Sequence, residues 1–257
     1  MRHKVSGATL KIIAIVSMLI DHIGAAVIEP ILESPNHLTN SQFTTLLHID
    51  YILRDIGRLA FPMFCFLIVE GFMHTHNWKK YFARLCVFAL ISEIPFDLAF
   101  MRKPFSLEAQ NVFFTLALGL LTLALTQFYR ERFNYRNEDN TLNIVNLLFY
   151  TLATLVTLFS TMAISMLLHS DYNAPGIAAI FIIYIFYPRR RYIGFIIAIL
   201  FMTVIVDESE IFALLNILFI YMYNGTKGRQ LKYLFYLFYP VHLALLAGLA
   251  TYFIGRI

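Results

Sequence analysis

Apolar runs recur along almost the whole chain, nine of them between residues 9 and 254: 9–31, 51–74, 80–100, 111–129, 142–168, 173–187, 192–206, 210–223 and 231–254. A helix needs about 20 apolar residues to cross the hydrocarbon layer of a bilayer. Lipid offers no hydrogen bonds to a backbone, so a crossing segment must satisfy its own amides, as a helix does. Composition agrees, with 59% of the 257 residues hydrophobic and 14% charged. An ordinary soluble domain carries about 25% charged residues. The 15 Tyr and 25 Phe suit interfacial belts and helix packing in lipid. The expected fold is all-α, a polytopic transmembrane helical bundle of about nine spans, forming one integral membrane domain over residues 1–257. No internal repeat or low-complexity segment interrupts it.

Basic residues give the expected orientation. With the N-terminus inside, the inner segments hold Arg2, Lys4, Lys11, Lys79, Lys80, Arg84, Arg130, Arg132, Arg136, Arg189, Arg190, Arg191, Lys227, Arg229 and Lys232. The outer segments hold Arg102, Lys103 and Arg256. Retention of Lys and Arg on the cytoplasmic side predicts N-in and C-out in a bacterial cytoplasmic membrane. The first run is expected to be kept as a span, because Asp21 and His22 interrupt it where a cleaved signal is purely apolar.

Those two residues introduce the chemistry. Ionisable groups inside membrane helices are costly, and they face protein and mark function. At 1.5 Å per residue, His22 lies roughly 20 Å above the inner end of its span. Arg54, Asp55 and Arg58 open the second span from the outside, Glu93 and Asp97 close the third, Asn111 opens the fourth, and His242 follows Pro240 in the last. Five helices thus bring polar groups to similar depth. The expectation is a shared polar cavity open toward the outer face. His22 is the expected base, oriented by a carboxylate from another helix because Asp21, its neighbour, points elsewhere. Arg58 is expected to meet Asp55 or Glu93, and Asp21 to hold Arg58 or another partner. A purely structural role, with buried pairs pinning helices, is the competing reading.

A second constellation lies at the inner side. Lys80 and Arg84 share a helix face at i, i+4. They are expected to bind the phosphates of an anionic cytosolic cosubstrate whose flexible arm reaches the polar level. Cys65 and Cys86 read as small buried hydrophobes. His74 and His76 read as interfacial residues, and no metal signature is present.

The segments LKIIAIVSMLIDHIG, RLAFPMFCFLIVEGFMHTHN, KKYFARLCVFALISEIPFDLAF and NVFFTLALGL occur in that order. Together they resemble the TraX family, whose namesake is a membrane acetylase of conjugative pilin. The resemblance is close over roughly residues 10–120 and continues loosely to FYLFYPVHLALL. TraX-like proteins in turn resemble the membrane acyltransferase-3 superfamily, with a basic residue, ten intervening residues and then a histidine in the first helix. Here these are Lys11 and His22, Lys standing for the usual Arg. The superfamily's R-x-x-R acyl-CoA motif is absent in that form, and Lys80 and Arg84 are its nearest equivalent.

The resemblance implies an acyltransferase that carries an acetyl group from cytosolic acetyl-CoA to an acceptor at the outer side of the membrane. Acyl-CoA, the lipid bilayer and a membrane peptide or glycan acceptor are the implied partners; nucleic acid and metal are not. In that reaction His22, Asp21, Arg58, Glu93 and Asn111 are the expected catalytic groups. Arg58 or Asn111 would stabilise the oxyanion. Lys11, Lys80 and Arg84 would bind the cosubstrate, and Arg54, Asp55, Asp97 and His242 the acceptor. Peptide amine and sugar hydroxyl acceptors both stay open, as does the oligomeric state. A proton-coupled transporter is the alternative of a different class, though transporters carry internal repeats.

Overall fold

A computed structural model describes residues 5–35, 38–136, 141–229 and 232–254. Arg2, Lys4 and Arg256, which entered the orientation, lie outside these residues, as do the side chains of Arg189 and Lys232. Among the described residues the chain is helical without strands, and β pairing is limited to three isolated bridges.

The helices are α1 Gly7–Ile23, α2 Glu29–Leu32, α3 Asn40–Gly57, α4 Ala60–Met73, α5 Trp78–Phe96, α6 Val112–Phe133, α7 Ile144–Leu167, α8 Asn173–Ile205, α9 Asn216–Tyr221 and α10 Lys232–Ile254. Side chains begin many of them. Ser6, Thr39, Asn77, Asn111 and Asn143 each accept a backbone N–H at a helix start, and Thr39 with Gln42 forms a reciprocal capping box. Wider π turns, Gly24–Ile28 and Asp97–Met101, follow α1 and α5.

Five stretches are long and apolar enough to cross a membrane: Gly7–Leu32, Asn40–Met73, Val112–Phe133, Ile144–Leu167 and Phe235–Phe253. Asn173–Tyr187 is a shorter apolar helix. The run expected at 51–74 starts earlier, at Asn40, and is divided at Arg58 and Leu59 into α3 and α4. The runs at 173–187 and 192–206 stay two helices within α8: the backbone breaks at Arg190 (φ −148°, ψ 59°), and the chain folds back so that a Cβ on Gly194 would stand 3.3 Å from Ile183 Cα. The run at 210–223 is not one α-helix. Eight residues of 3₁₀ helix, Glu208–Leu215, lead into the six of α9. A 3₁₀ helix rises about 2.0 Å per residue, so the combined segment still reaches roughly 25 Å.

Packing is the reverse of a soluble protein's on α7. Leu148, Leu152, Phe159 and Leu167 are exposed, while Thr154, Thr157, Thr161 and Ser165 are buried. The inward stripe meets α6, where Thr122 Oγ1 lies 2.8 Å from Thr161 Oγ1. Apolar surface outward and hydroxyls inward is the arrangement lipid favours, each interhelical hydrogen bond contributing about 0.6 kcal/mol. α4 is the central element, with Met63, Cys65, Phe66 and Val69 fully buried. α1 packs on α3, α4 and α10, and α10 also runs along α5 and the Asp97–Met101 turn. First and last helices are therefore neighbours, which sets the site.

Candidate functional site: a histidine pair between two cavities

α1 and α10 carry His22 and His242 to a direct contact across 220 residues of sequence. His22 Nδ1 lies 2.7 Å from His242 Nε2, and His242 Nδ1 lies 2.8 Å from the Phe238 carbonyl oxygen. A carbonyl only accepts, so His242 Nδ1 carries the proton and its Nε2 accepts in turn. His22 Nδ1 is then the donor, and the lone pair sits on His22 Nε2. That nitrogen has no hydrogen-bond partner among the described residues. The two rings are nearly parallel (9°), with Phe238 stacked on His242 and Phe100 edge-on to His22. The group that orients His22 is thus a second histidine and not the expected carboxylate.

Asp21 turns to the other side of α1, as neighbouring helix positions must. Its Oδ1 is 2.8 Å from Arg54 Nη1, and Arg54 Nε is 3.2 Å from Glu29. Two glycines permit the approach. A Cβ on Gly57 would stand 2.1 Å from Asp21 Oδ1, and one on Gly24 would stand 2.8 Å from Asp50 Oδ1. Asp50 itself is buried, and its Oδ1 takes no hydrogen bond among the described residues.

The remaining expected site residues have their own partners. Arg58 meets neither Asp55 nor Glu93. Its Nη1 is 3.4 Å from Glu210 Oε1, and the Tyr172 hydroxyl joins both groups. Glu210 is completely buried. Tyr172 reaches it from a left-handed backbone conformation (φ 58°), its ring stacked 3.7 Å from Phe61. The 3₁₀ helix that delivers Glu210 is capped by Asp207, and hydrogen bonds from Ser209 hold that carboxyl below the usual range. Asn111 donates through Nδ2 to Glu93 and, at 2.8 Å, to the Ala89 carbonyl, while its Oδ1 caps α6. Asp97 accepts the Ser106 backbone N–H at 2.7 Å, closing the loop after α5. Asp55 has no ion pair among the described residues.

A cavity of about 310 Å³ opens below the histidines. α1 lines it with Gly7, Lys11, Ile15 and Met18, the last one turn before His22. Lys11, Arg84 and Lys227 converge on it from three elements, and Tyr239 lines it beside the histidine pair. Lys11 lies over the Phe235 ring and Arg84 over Tyr81, with centroid distances of 5.3 and 5.7 Å. Lys80 is exposed and does not line the cavity, so the i, i+4 pairing of Lys80 and Arg84 is not the one the fold uses. Lys227 takes that place. Its loop is fixed to the N-terminal segment by Gly7 N–H to Thr226 O (2.8 Å) and Ala8 N–H to Lys227 O (3.0 Å). Nothing in the spacing of NGTKGRQ marks Lys227 as a partner of Lys11.

Glu70 also lines this cavity and escaped the sequence reading. It accepts hydrogen bonds from the Tyr187 hydroxyl and, at 2.6 Å, from the Tyr223 hydroxyl, with His74 Nδ1 at 3.3 Å. His74 is itself exposed, as an interfacial residue is, and touches this network only at Glu70. A lone acid in the apolar run FCFLIVEGF was the available signal. A second cavity, about 360 Å³, is lined by Ala25, Glu29, Glu33, Phe100 and Arg102 among others. The shared polar cavity expected from the sequence is not formed: Asp21, His22, Arg54, Asp55, Arg58, Glu93, Asp97, Asn111 and His242 line neither cavity, and His22 touches the two linings only through the rings of Tyr239 and Phe100. Among the described residues no cluster of three or more His, Cys, Asp or Glu could hold a metal ion.

Comparison with known proteins adds two findings. The sequence model of the TraX protein family matches residues 6–250. A Dichelobacter nodosus protein named "Probable fimbrial assembly protein FimC, serogroup H1" is 30% identical over 271 aligned positions, covering 95% of each chain. No solved structure matches.

Proposed function

This protein belongs to the TraX protein family, and we propose that it is a membrane-embedded acyltransferase using cytosolic acetyl-CoA to acylate an acceptor at the outer side of the bacterial cytoplasmic membrane. The observation that carries the reading is the His22–His242 contact, flanked by Tyr239 from the lining of the basic cavity and by Phe100 from the lining of the second. In this reading nine spans run N-in and C-out, and the chain is a relative of the acyltransferase-3-like proteins.

Each cavity then has a role. Lys11, Arg84 and Lys227 hold the phosphates of acetyl-CoA as charge-assisted hydrogen-bond donors. From Gly7 to Met18 the α1 wall rises roughly 16 Å, enough for an extended arm to carry the thioester to Tyr239. The acceptor reaches His22 from the cavity lined by Glu29, Glu33 and Arg102. His22 Nε2 takes the acceptor's proton, and His242 holds the tautomer that leaves this nitrogen available. The FimC relative's name supports a membrane peptide such as pilin, with its N-terminal amine as acceptor.

The test is acetyl transfer by the purified protein in lipid vesicles, from acetyl-CoA to a synthetic peptide with a free N-terminus. His22→Ala is expected to bind acetyl-CoA at the parent's affinity and to lose about 10²–10⁴-fold in turnover, the usual contribution of a general base. Transfer by His22→Ala at the parent rate would refute the mechanism.

A further inference from the structure

Tyr239 stands where the lower cavity meets the histidine pair. It lines that cavity and is only 3% exposed. Its ring meets His22 and His242 edge-on, with centroids 6.1 and 5.6 Å away, and Phe113 fixes it from 5.0 Å. The phenolic oxygen lies beside the backbone N–H of Val112. Val112 is the first residue of α6, so this N–H has no carbonyl partner within its helix. A phenol oxygen facing a helix N-terminus keeps its own proton to donate. Among the described residues no acceptor receives that proton. Tyr239 lines the cavity, so a hydroxyl with its proton free to donate can meet an oxygen that arrives there.

We propose that Tyr239 is a catalytic residue of the acyl transfer inferred above, its hydroxyl donating a hydrogen bond to the carbonyl oxygen of the thioester. The inference rests on that reading. The acceptor's nitrogen or oxygen bonds to the carbonyl carbon, the C=O π pair moves onto oxygen, and His22 Nε2 takes the acceptor's proton. The C=O bond then re-forms, the C–S bond breaks, and His22 returns the proton to the departing sulfur. Nothing is oxidised or reduced. Negative charge sits on the oxygen between the two events, so a donor fixed there favours the transition state over the ground state. Val112 N–H and the positive end of the 22-residue helix α6 add to the same field. Arg58 and Asn111, the groups expected from sequence to do this, are held by Glu210 and by Glu93.

The experiment compares the parent with Tyr239→Phe in vesicles, using acetyl-CoA and the synthetic peptide amine, and reads thiol release and peptide acetylation. Loss of one such donor lowers turnover by about 10²–10³-fold. That loss in kcat is expected with the KM for acetyl-CoA and the melting temperature near the parent's. As a second variant, 3-fluorotyrosine at position 239 keeps the ring and the O–H, and should restore turnover to at least the parent's. Tyr239→Phe at the parent's kcat, or a 3-fluorotyrosine protein as slow as Tyr239→Phe, overturns this inference while leaving acyl transfer intact. A parent protein that binds acetyl-CoA yet releases no thiol overturns the acyl-transfer reading itself, and this inference with it.

Discussion

The Arg58–Glu210 contact shows how far a single side chain can be read before its partner is known. Arg58 is recognisable in sequence as a charge at the outer start of an apolar run. Its partner is not, because VDESE reads as a polar turn and nothing there distinguishes Glu210 from its acidic neighbours. In the fold Glu210 is fully buried and Arg58 is 20% exposed on its side chain. Removing one member leaves the other charge buried and uncompensated, at a cost of about 3–5 kcal/mol. Arg58→Met is therefore expected to lower thermal stability sharply, and Arg58→Met with Glu210→Leu to recover most of the loss. A double variant no more stable than the single would show that the pair is not what holds these segments together. The histidines present the opposite case. Both were legible as ionisable groups at similar depth, and His242 was expected at the site. Their direct bond was not legible, since no local pattern links residues so far apart.

Helix boundaries were legible where side chains cap them, as with Asn111 before α6 and the Thr39–Gln42 box before α3. They were less so where tertiary packing decides. The division of the second run at Arg58 and Leu59 is marked only by Gly57 before it and Pro62 after it, whose ring excludes the Arg58 carbonyl, and the stretch around Glu210 trades α for 3₁₀ geometry to reach its buried partner. Glycines separate the two kinds of helix contact. At Gly57 a methyl group would stand 2.4 Å from the Asp21 Cβ, which is close to the main chain and cannot swing away cheaply. Gly57→Ala should push α3 from α1, break the Asp21–Arg54 contact and lower the melting temperature. At Gly248 in α10 nothing lies within 4 Å of the added Cβ. Gly248→Ala should leave stability unchanged or raise it by up to about 1 kcal/mol, the helical preference for Ala over Gly. Equal melting temperatures for the two variants would mean that α1 and α3 do not approach as closely as Gly57 allows.

At the scale of the whole molecule the sequence foretold an all-helical, lipid-facing bundle, and the inverted polarity of α7 agrees with it. The proposed orientation rests on a different physical argument, the retention of basic residues on the cytoplasmic side. It matters because the cavity with Lys11, Arg84 and Lys227 can meet a cytosolic acyl-CoA only if the N-terminus lies inside. Two loops test it. The α4–α5 loop contains His76 and should face the cytoplasm, whereas the loop after the Asp97–Met101 turn contains Leu107, 70% exposed, and should face out. The background is simple, since Cys65 is fully buried and Cys86 can be made serine. In intact cells a membrane-impermeant maleimide should label Leu107→Cys and spare His76→Cys until the membrane is opened. Labelling of both before opening would place them on one side and remove the span between them. Labelling of His76→Cys alone would invert the bundle, turn the basic cavity away from cytosolic CoA, and sink the acyl transfer proposed here.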